Sequence, residues 1–215
     1  MNLSKEAAFT VSIYKGMMDD HEKINEVLAK DITKRAKSDP NLKKNTHGGW
    51  SSSKDLLDWP AAVESGFTTR IHEIAKRLML DQNIFTEETQ GFDFNILLEA
   101  WANLLPKSGY HGVHLHSNCV LSAVYYVQCG EPDDDSLSGA FELVPPMPQA
   151  SVMTPGTRGP VPFRIKPEPG LFFVFPSWLH HFVHMNRDAT PRISIAINMR
   201  GNYVVKKKKE TAAAT

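Results

Sequence analysis

A chain of 215 residues in which 24 Lys and Arg balance 24 Asp and Glu has no formal net charge at neutral pH, so it lacks the electrostatic footprint that argues for nucleic acid or an acidic membrane. The length suits one domain with elaborations, no apolar run approaches membrane-spanning length, and Met1–Glu6 lacks the layout of a signal peptide. The two cysteines, Cys119 and Cys129, flank one predicted strand too far apart along it to bridge unless the chain folds back between them, and a cytoplasmic protein with reduced thiols is the expectation.

In chain order, residues 1–90 read as helical. Ile24, Val27, Leu28 and Ile32 recur at i, i+3, i+4 and i+8 in a charged background, which predicts an amphipathic helix ending before Asp39-Pro40. A polar link containing His47-Gly48-Gly49-Trp50 follows. Pro60 opens a second predicted helix with Val63, Phe67, Ile71, Ile74 and Leu78 on its apolar face. His72, beside that face, reads as a helix-surface or satisfied core histidine.

From Phe92 the pattern changes to strands. One runs from Phe92 through Trp101 and Asn103 to the stop at Pro106, and further runs are predicted at about 112–118, 120–128, 139–144, 161–166, 171–176, 181–186 and 191–199. Short strands separated by Pro and Gly turns predict a mostly β, α+β fold built on an antiparallel sandwich or barrel. The helices are expected to pack on the outer face of one sheet. Residues 1–205 are expected to form one domain, with 1–90 its helical part and 91–200 its β core. Pro145–Pro162 carries six prolines and reads as a long loop of the lid or binding-surface kind. Lys206–Lys209 and the residues after them, 206–215 in all, read as a solvated, disordered tail.

The chemistry concentrates in the strands. Six of the nine histidines fall between positions 111 and 184. Side chains two apart on a strand share a face, so His114 and His116 can offer two imidazoles to one point. His180 or His181 can add a third from a distant strand. These two are neighbours on opposite faces, so one of them ligates. Three protein ligands leave open coordination positions, a catalytic rather than structural arrangement. Imidazole suits iron, zinc, copper and nickel alike. Tyr125 and Tyr126 also face opposite ways, so one of them points inward. His111 and His184 read as pocket rim or surface.

Gly109–Val127 (GYHGVHLHSNCVLSAVYYV), Phe175–Val183 (FPSWLHHFV) and Arg192–Asn198 (RISIAIN), preceded by Gly48-Gly49-Trp50 and Trp101-Ala102-Asn103, together resemble the iron(II)- and 2-oxoglutarate-dependent oxygenases. Within that superfamily they look most like a subfamily common in tailed phages and marine bacteria. The resemblance spans roughly residues 46–199, and the order and spacing of the motifs carry it. It implies a double-stranded β-helix of the jelly-roll or cupin kind, Fe(II) as cofactor, 2-oxoglutarate as cosubstrate and dioxygen as oxidant. The implied reaction hydroxylates a small-molecule or peptidyl substrate and releases succinate and CO2.

The resemblance also distributes roles. It puts iron on His114, His116 and His181, because His181 occupies the last fixed position of F-P-S-W-L-x-H and His180 the variable one. Arg192, eleven residues on, is implied to hold the distal carboxylate of 2-oxoglutarate, with Ser194 adding a hydroxyl. The physics agrees: both residues share a strand face, an Arg within the apolar run Ile193, Ile195, Ala196 and Ile197 needs an anion, and guanidinium is the bidentate partner of a carboxylate. A Tyr-Tyr pair in animal prolyl hydroxylases, whose first Tyr reaches the cosubstrate, implies the same role for Tyr125. Asn103 sits in a W-x-N motif and is expected to bond the cosubstrate or a neighbouring backbone group. The departure is His116, where most of the superfamily has Asp or Glu; three neutral ligands leave the iron more positive.

Two other classes compete. A cupin-type three-histidine dioxygenase would use the same metal ligands without 2-oxoglutarate, but would have no need of an inward Arg192. A non-enzymatic, metal-stapled binding domain would want a fourth protein ligand and a closed site.

Overall fold

The computed structural model describes residues 4, 10–39, 46–81, 92–131, 136–146 and 162–205. Its spine is the antiparallel pair β4 (Phe92–Leu105) and β11 (Arg192–Val205), registered from Leu105 opposite Arg192 to Phe92 opposite Val205. β6 (Leu121–Gln128) lies on the other side of β11, followed by β9 (Leu171–Pro176) and β1 (Tyr14–Met17), while β3 (Trp50–Ser51) closes the edge beyond β4. The second sheet is smaller and runs β2 (Thr46–His47), β5 (Tyr110–His114), β10 (His181–Val183), β7 (Phe141–Leu143) and β8 (Phe163–Ile165). Every ladder in both sheets is antiparallel. The architecture is the double-stranded β-helix that the strand pattern and the resemblance led one to expect.

Both faces of the larger sheet are covered, which explains why β6 reads as an almost unbroken apolar run. Its outer face (Ala123, Tyr125 and Val127 on β6; Ile193, Ile195 and Ile197 on β11) packs against the helices, and its inner face (Val124, Tyr126, Phe173, Phe175) packs against Phe141, Leu143 and Val183 of the smaller sheet. α1 (His21–Ser38) buries Ile24, Leu28 and Ile32, as its periodicity predicts, and ends at the expected place. Each such side chain contributes about 1.5–3 kcal/mol by leaving water. Val27, assigned to the same stripe, is instead 41% exposed.

The second predicted helix is two. α2 (Pro60–Glu64) stops and α3 (Phe67–Asp81) begins on either side of Ser65-Gly66, where Gly66 takes φ +77°. A left-handed residue cannot continue an α-helix. Phe67, Ile71 and Leu78 are buried from α3, but Val63 of α2 is exposed. His72 is on the surface and bonds the Thr68 carbonyl through Nδ1.

Other boundaries shift as well. β5 ends at His114 and β10 at Val183, both short of their predicted ends, whereas β11 runs beyond 199. The short strands β1, β2 and β3 lack an alternating signature and exist because a sheet edge recruits them. Cys119 and Cys129 are free thiols. Among the described residues no helix is long and apolar enough to cross a membrane. Most of the predicted loop, 147–161, and the whole predicted tail lie outside the described residues.

Candidate active site

A cavity of about 600 Å3 opens between the two sheets, within the size range of small-molecule sites. β5 and β10 place two of its histidines directly opposite each other, His114 against His181, with ring centroids 4.2 Å apart. His116 lies beyond the end of β5, where its backbone N–H bonds the Ser177 carbonyl. It keeps the alternation after the strand stops, and its ring stacks 5.1 Å from that of His181. One ligand atom from each of His114, His116 and His181 falls within 4.8 Å of the others, a grouping that could hold one metal ion.

The imidazoles are oriented for that task. His181 Nδ1 lies 2.9 Å from the Leu179 carbonyl and His114 Nδ1 2.8 Å from that of Gly112. Each Nδ1 therefore carries the proton and donates it, which leaves Nε2 as the free lone pair. Burial pushes the His181 pKa down to about 2, helped by the neighbouring His114, and that of His116 to about 4. His114 shifts in the same direction, also through burial. All three are neutral at physiological pH, the form that binds metal. His180, by contrast, is exposed.

A second polar group lines the same cavity from β11. Arg192 is 2% exposed. Its Nε donates to the Gly139 carbonyl at 3.1 Å and its Nη1 to Ser194 Oγ at 2.9 Å. Gly139 sits at φ +62° so close that a Cβ there would meet Arg192 Cδ at 3.0 Å. Among the described residues no carboxylate pairs with this cation. A buried guanidinium without an anion is costly, and this one opens into the space beside the histidines.

Asn103, registered opposite Ser194, also lines the cavity. Its Oδ1 accepts from Ser51 Oγ at 2.7 Å, Ser51 Oγ is 2.8 Å from Thr46 Oγ1, and Thr46 Oγ1 is 3.3 Å from His111 Nε2. The partner is thus a side-chain hydroxyl rather than the backbone expected as the alternative. Thr46 and Ser51 are cavity residues that sequence reasoning missed, and His111 lines the cavity with them. His111 had read as rim or surface, and burial pushes its pKa down to about 3, with the Arg192 charge adding to the effect. On a regular strand residues 111 and 114 would face opposite ways. Here two residues of β10 (His181, Val183) span three steps of β5 (His114 to His111), and this bulge turns both rings inward. No sequence signal marks it.

Tyr125 does not take the place expected of it. It lies on the outer face of β6, packs on Phe67 with centroids 5.1 Å apart and donates its hydroxyl to Asn25 Oδ1 of α1 at 2.7 Å. The inward member of the pair is Tyr126. It faces Ser194 across the ladder, the Arg192 guanidinium carbon is 4.8 Å from its ring centre, and its hydroxyl is buried with no hydrogen-bond partner among the described residues. Alternation along β6 puts the two rings on opposite faces, and because the helices cover the face of Tyr125, the even-numbered positions face in. His184 bonds Glu142 at 2.9 Å and does not line the cavity.

Three neutral imidazoles converge in the mouth of a double-stranded β-helix as a group that could hold a metal ion, with a buried cation beside them. Residues 99–198 match the family described as "Putative 2OG-Fe(II) oxygenase". The match covers this chain's β core, and the iron(II)- and 2-oxoglutarate-dependent oxygenases it describes are an oxidoreductase class whose cofactor is Fe(II) and whose cosubstrate is 2-oxoglutarate. No curated protein sequence matches the chain.

Solved structures agree on the fold. A Pseudomonas putida prolyl-4-hydroxylase superposes with TM-score 0.61 at 18% identity, over 89% of this chain and 93% of that one. A Trichoplax adhaerens prolyl hydroxylase, solved with a hypoxia inducible factor peptide fragment, gives 0.61 at 11% identity over 87% and 83%. HygX from Streptomyces hygroscopicus, with nickel and 2-oxoglutarate bound, gives 0.55 at 10% identity over 89% and 83%.

Proposed function

We propose that this single-domain chain, residues 1–205, hydroxylates an organic substrate and releases succinate and CO2, with Fe(II) held by Nε2 of His114, His116 and His181. The distal carboxylate of 2-oxoglutarate is held by Arg192 and Ser194. The observation that carries the reading is the buried Arg192, paired with no carboxylate among the described residues and opening into the same cavity as the three histidines. When bound, iron(II) supplies the redox chemistry that couples decarboxylation of 2-oxoglutarate to oxidation of the substrate.

The chain's own residues position the reactants. The Leu179 and Gly112 carbonyls fix the ring tautomers. Gly139 and Ser194 hold the guanidinium, and Asn103, whose Oδ1 is committed to Ser51, offers its amide N–H groups to the cosubstrate. Phe141 and Phe175 pack their rings about 5 Å from His181 (5.1 and 4.9 Å) and keep water from that side of the metal. The His116 imidazole stands where a carboxylate is usual, so 2-oxoglutarate brings the site's first negative charges.

The test is anaerobic addition of iron(II) and then 2-oxoglutarate, followed by its visible metal-to-ligand charge-transfer band and, on admitting air, by succinate release. Iron binding without the band would overturn the reading and favour a three-histidine dioxygenase that does without 2-oxoglutarate.

A further inference from the structure

The cavity continues past the histidines along β11 as far as Arg200, and its fixed charge is of one sign. Among its described lining residues the ionised side chains are Lys54, Arg192 and Arg200, and none is Asp or Glu. Arg192, Ser194, Ala196, Asn198 and Arg200 alternate along one face of β11. Arg200 therefore lies eight residues from Arg192, roughly 26 Å of strand, less the reach of the two side chains. The histidines come between them: Trp101 is registered opposite Ala196, and its ring is 5.6 Å from that of His116. Arg192 faces one end of the cavity, and Lys54 and Arg200 face the other.

The two cations at the far end are only half neutralised. Lys54 Nζ, at 2.8 Å, and Arg200 Nη2, at 3.0 Å, reach the same oxygen of Glu99, Oε2. Glu99 does not itself line the cavity. Its carboxyl is held below the ordinary carboxylate value, chiefly by the Lys54 hydrogen bond, so the trio carries a net single positive charge. Arg200 Nε is buried with no hydrogen-bond partner among the described residues. Under the proposed function the two carboxylates of 2-oxoglutarate are matched by iron and by Arg192, and the neutral imidazoles add nothing. Lys54 and Arg200 are left for another anion.

We propose that the substrate is an anionic small molecule whose carboxylate or phosphate is held by Lys54 and Arg200, with its oxidised carbon reaching back past Trp101 to the histidines. This rests on the proposed function. Trp101 supplies a flat apolar face between the two ends, and a cavity of about 600 Å3 suits a small molecule. The concave wall raises the local concentration of anions. A trio serving only to tie β4 to β11 would be a partly exposed ion-pair cluster, worth about 0–1 kcal/mol per pair, and would need no position on the cavity wall.

The experiment titrates naphthalene-2-acetate, 2-naphthyl phosphate and the neutral naphthalene-2-acetamide into the full chain by calorimetry, anaerobically, with iron(II) and saturating 2-oxoglutarate. At least one anion is expected to bind tenfold or more tightly than the amide, and the better of the two identifies carboxylate or phosphate. The double variant Lys54→Met/Arg200→Met is expected to lose that preference. Glu99→Gln, which removes the competing carboxylate, is expected to strengthen anion binding severalfold, an outcome a purely structural trio does not produce. Equal affinity for anion and amide in the parent, or a preference that survives the double variant, would overturn the proposal. The charge-transfer band of the same parent sample reports on the class assignment, so the two readings fail separately.

Discussion

Replacing Arg192 by Met separates what the guanidinium does for the fold from what it does for the cosubstrate. Without a ligand, burying this cation, which no carboxylate of the described residues pairs with, costs several kcal/mol. Its hydrogen bonds to Gly139 and Ser194 return about 0.5–1.5 kcal/mol each, more for a charged donor. A Met of similar length removes both terms, so the metal-free variant is expected to be as stable as the parent or more so. With 2-oxoglutarate the balance reverses, because the ligand's carboxylate loses its partner and about 2–5 kcal/mol of affinity, on the order of thirtyfold or more. At a 2-oxoglutarate concentration of about 100 Kd the parent gains roughly 2.7 kcal/mol of stability from the ligand. At the same concentration a thirtyfold weaker variant gains only about 0.9 kcal/mol. Anaerobic unfolding in denaturant, with iron(II) and with or without 2-oxoglutarate, reads both quantities. A variant that keeps the full ligand-induced gain would refute the placement of the carboxylate at Arg192.

Alanine at His114, His116 or His181 is expected to abolish iron binding measured by equilibrium dialysis, and His180→Ala to leave it intact, whereas His116→Asp should retain iron because a carboxylate oxygen can replace the imidazole; loss of iron in His180→Ala would reverse the distal assignment. Tyr125→Phe should leave the affinity for 2-oxoglutarate unchanged and cost about 1–3 kcal/mol of unfolding free energy, since it strands the buried Asn25 amide; a large loss of 2-oxoglutarate affinity would contradict the outward placement. Burial raises the Glu142 pKa, but hydrogen bonds from Arg164 and His184 outweigh it and hold the carboxyl below its ordinary value of 4.5. Its contribution is therefore complete above that pH and lost as pH falls through the depressed value. Glu142→Gln is expected to flatten the acid side of the stability–pH curve measured by urea unfolding, and an unchanged acid limb would count against the pairing.

Much of the fold was legible from residue patterns because it follows local periodicity. The 3.6-residue stripe of α1, the short apolar runs of β6 and β9, the alternation along β11 and the Pro and Gly turns between them led to an antiparallel sandwich or barrel, and the resemblance narrowed it to the double-stranded β-helix. The same period of two put His114 and His116 on one side, and the apolar setting of Arg192 and Ser194 marked an inward cation. What the sequence left open were matters of facing and register. Which member of Tyr125-Tyr126 points inward depends on which face of β6 the helices cover, and that is decided by the burial of Asn25, Leu28 and Phe67 against it, not by anything within β6. His111 enters the cavity through a bulge that exists only because β5 pairs with β10 out of step. Thr46 and Ser51 sit on two-residue edge strands too short to carry any pattern. Glu99, Lys54 and Arg200 are ordinary charged residues along the chain, and they become one cluster only when β4 and β11 lie side by side and residue 54 folds over them. Periodicity belongs to a single strand and can be read from it, whereas inside and outside exist only once a second layer has been packed on one of its faces.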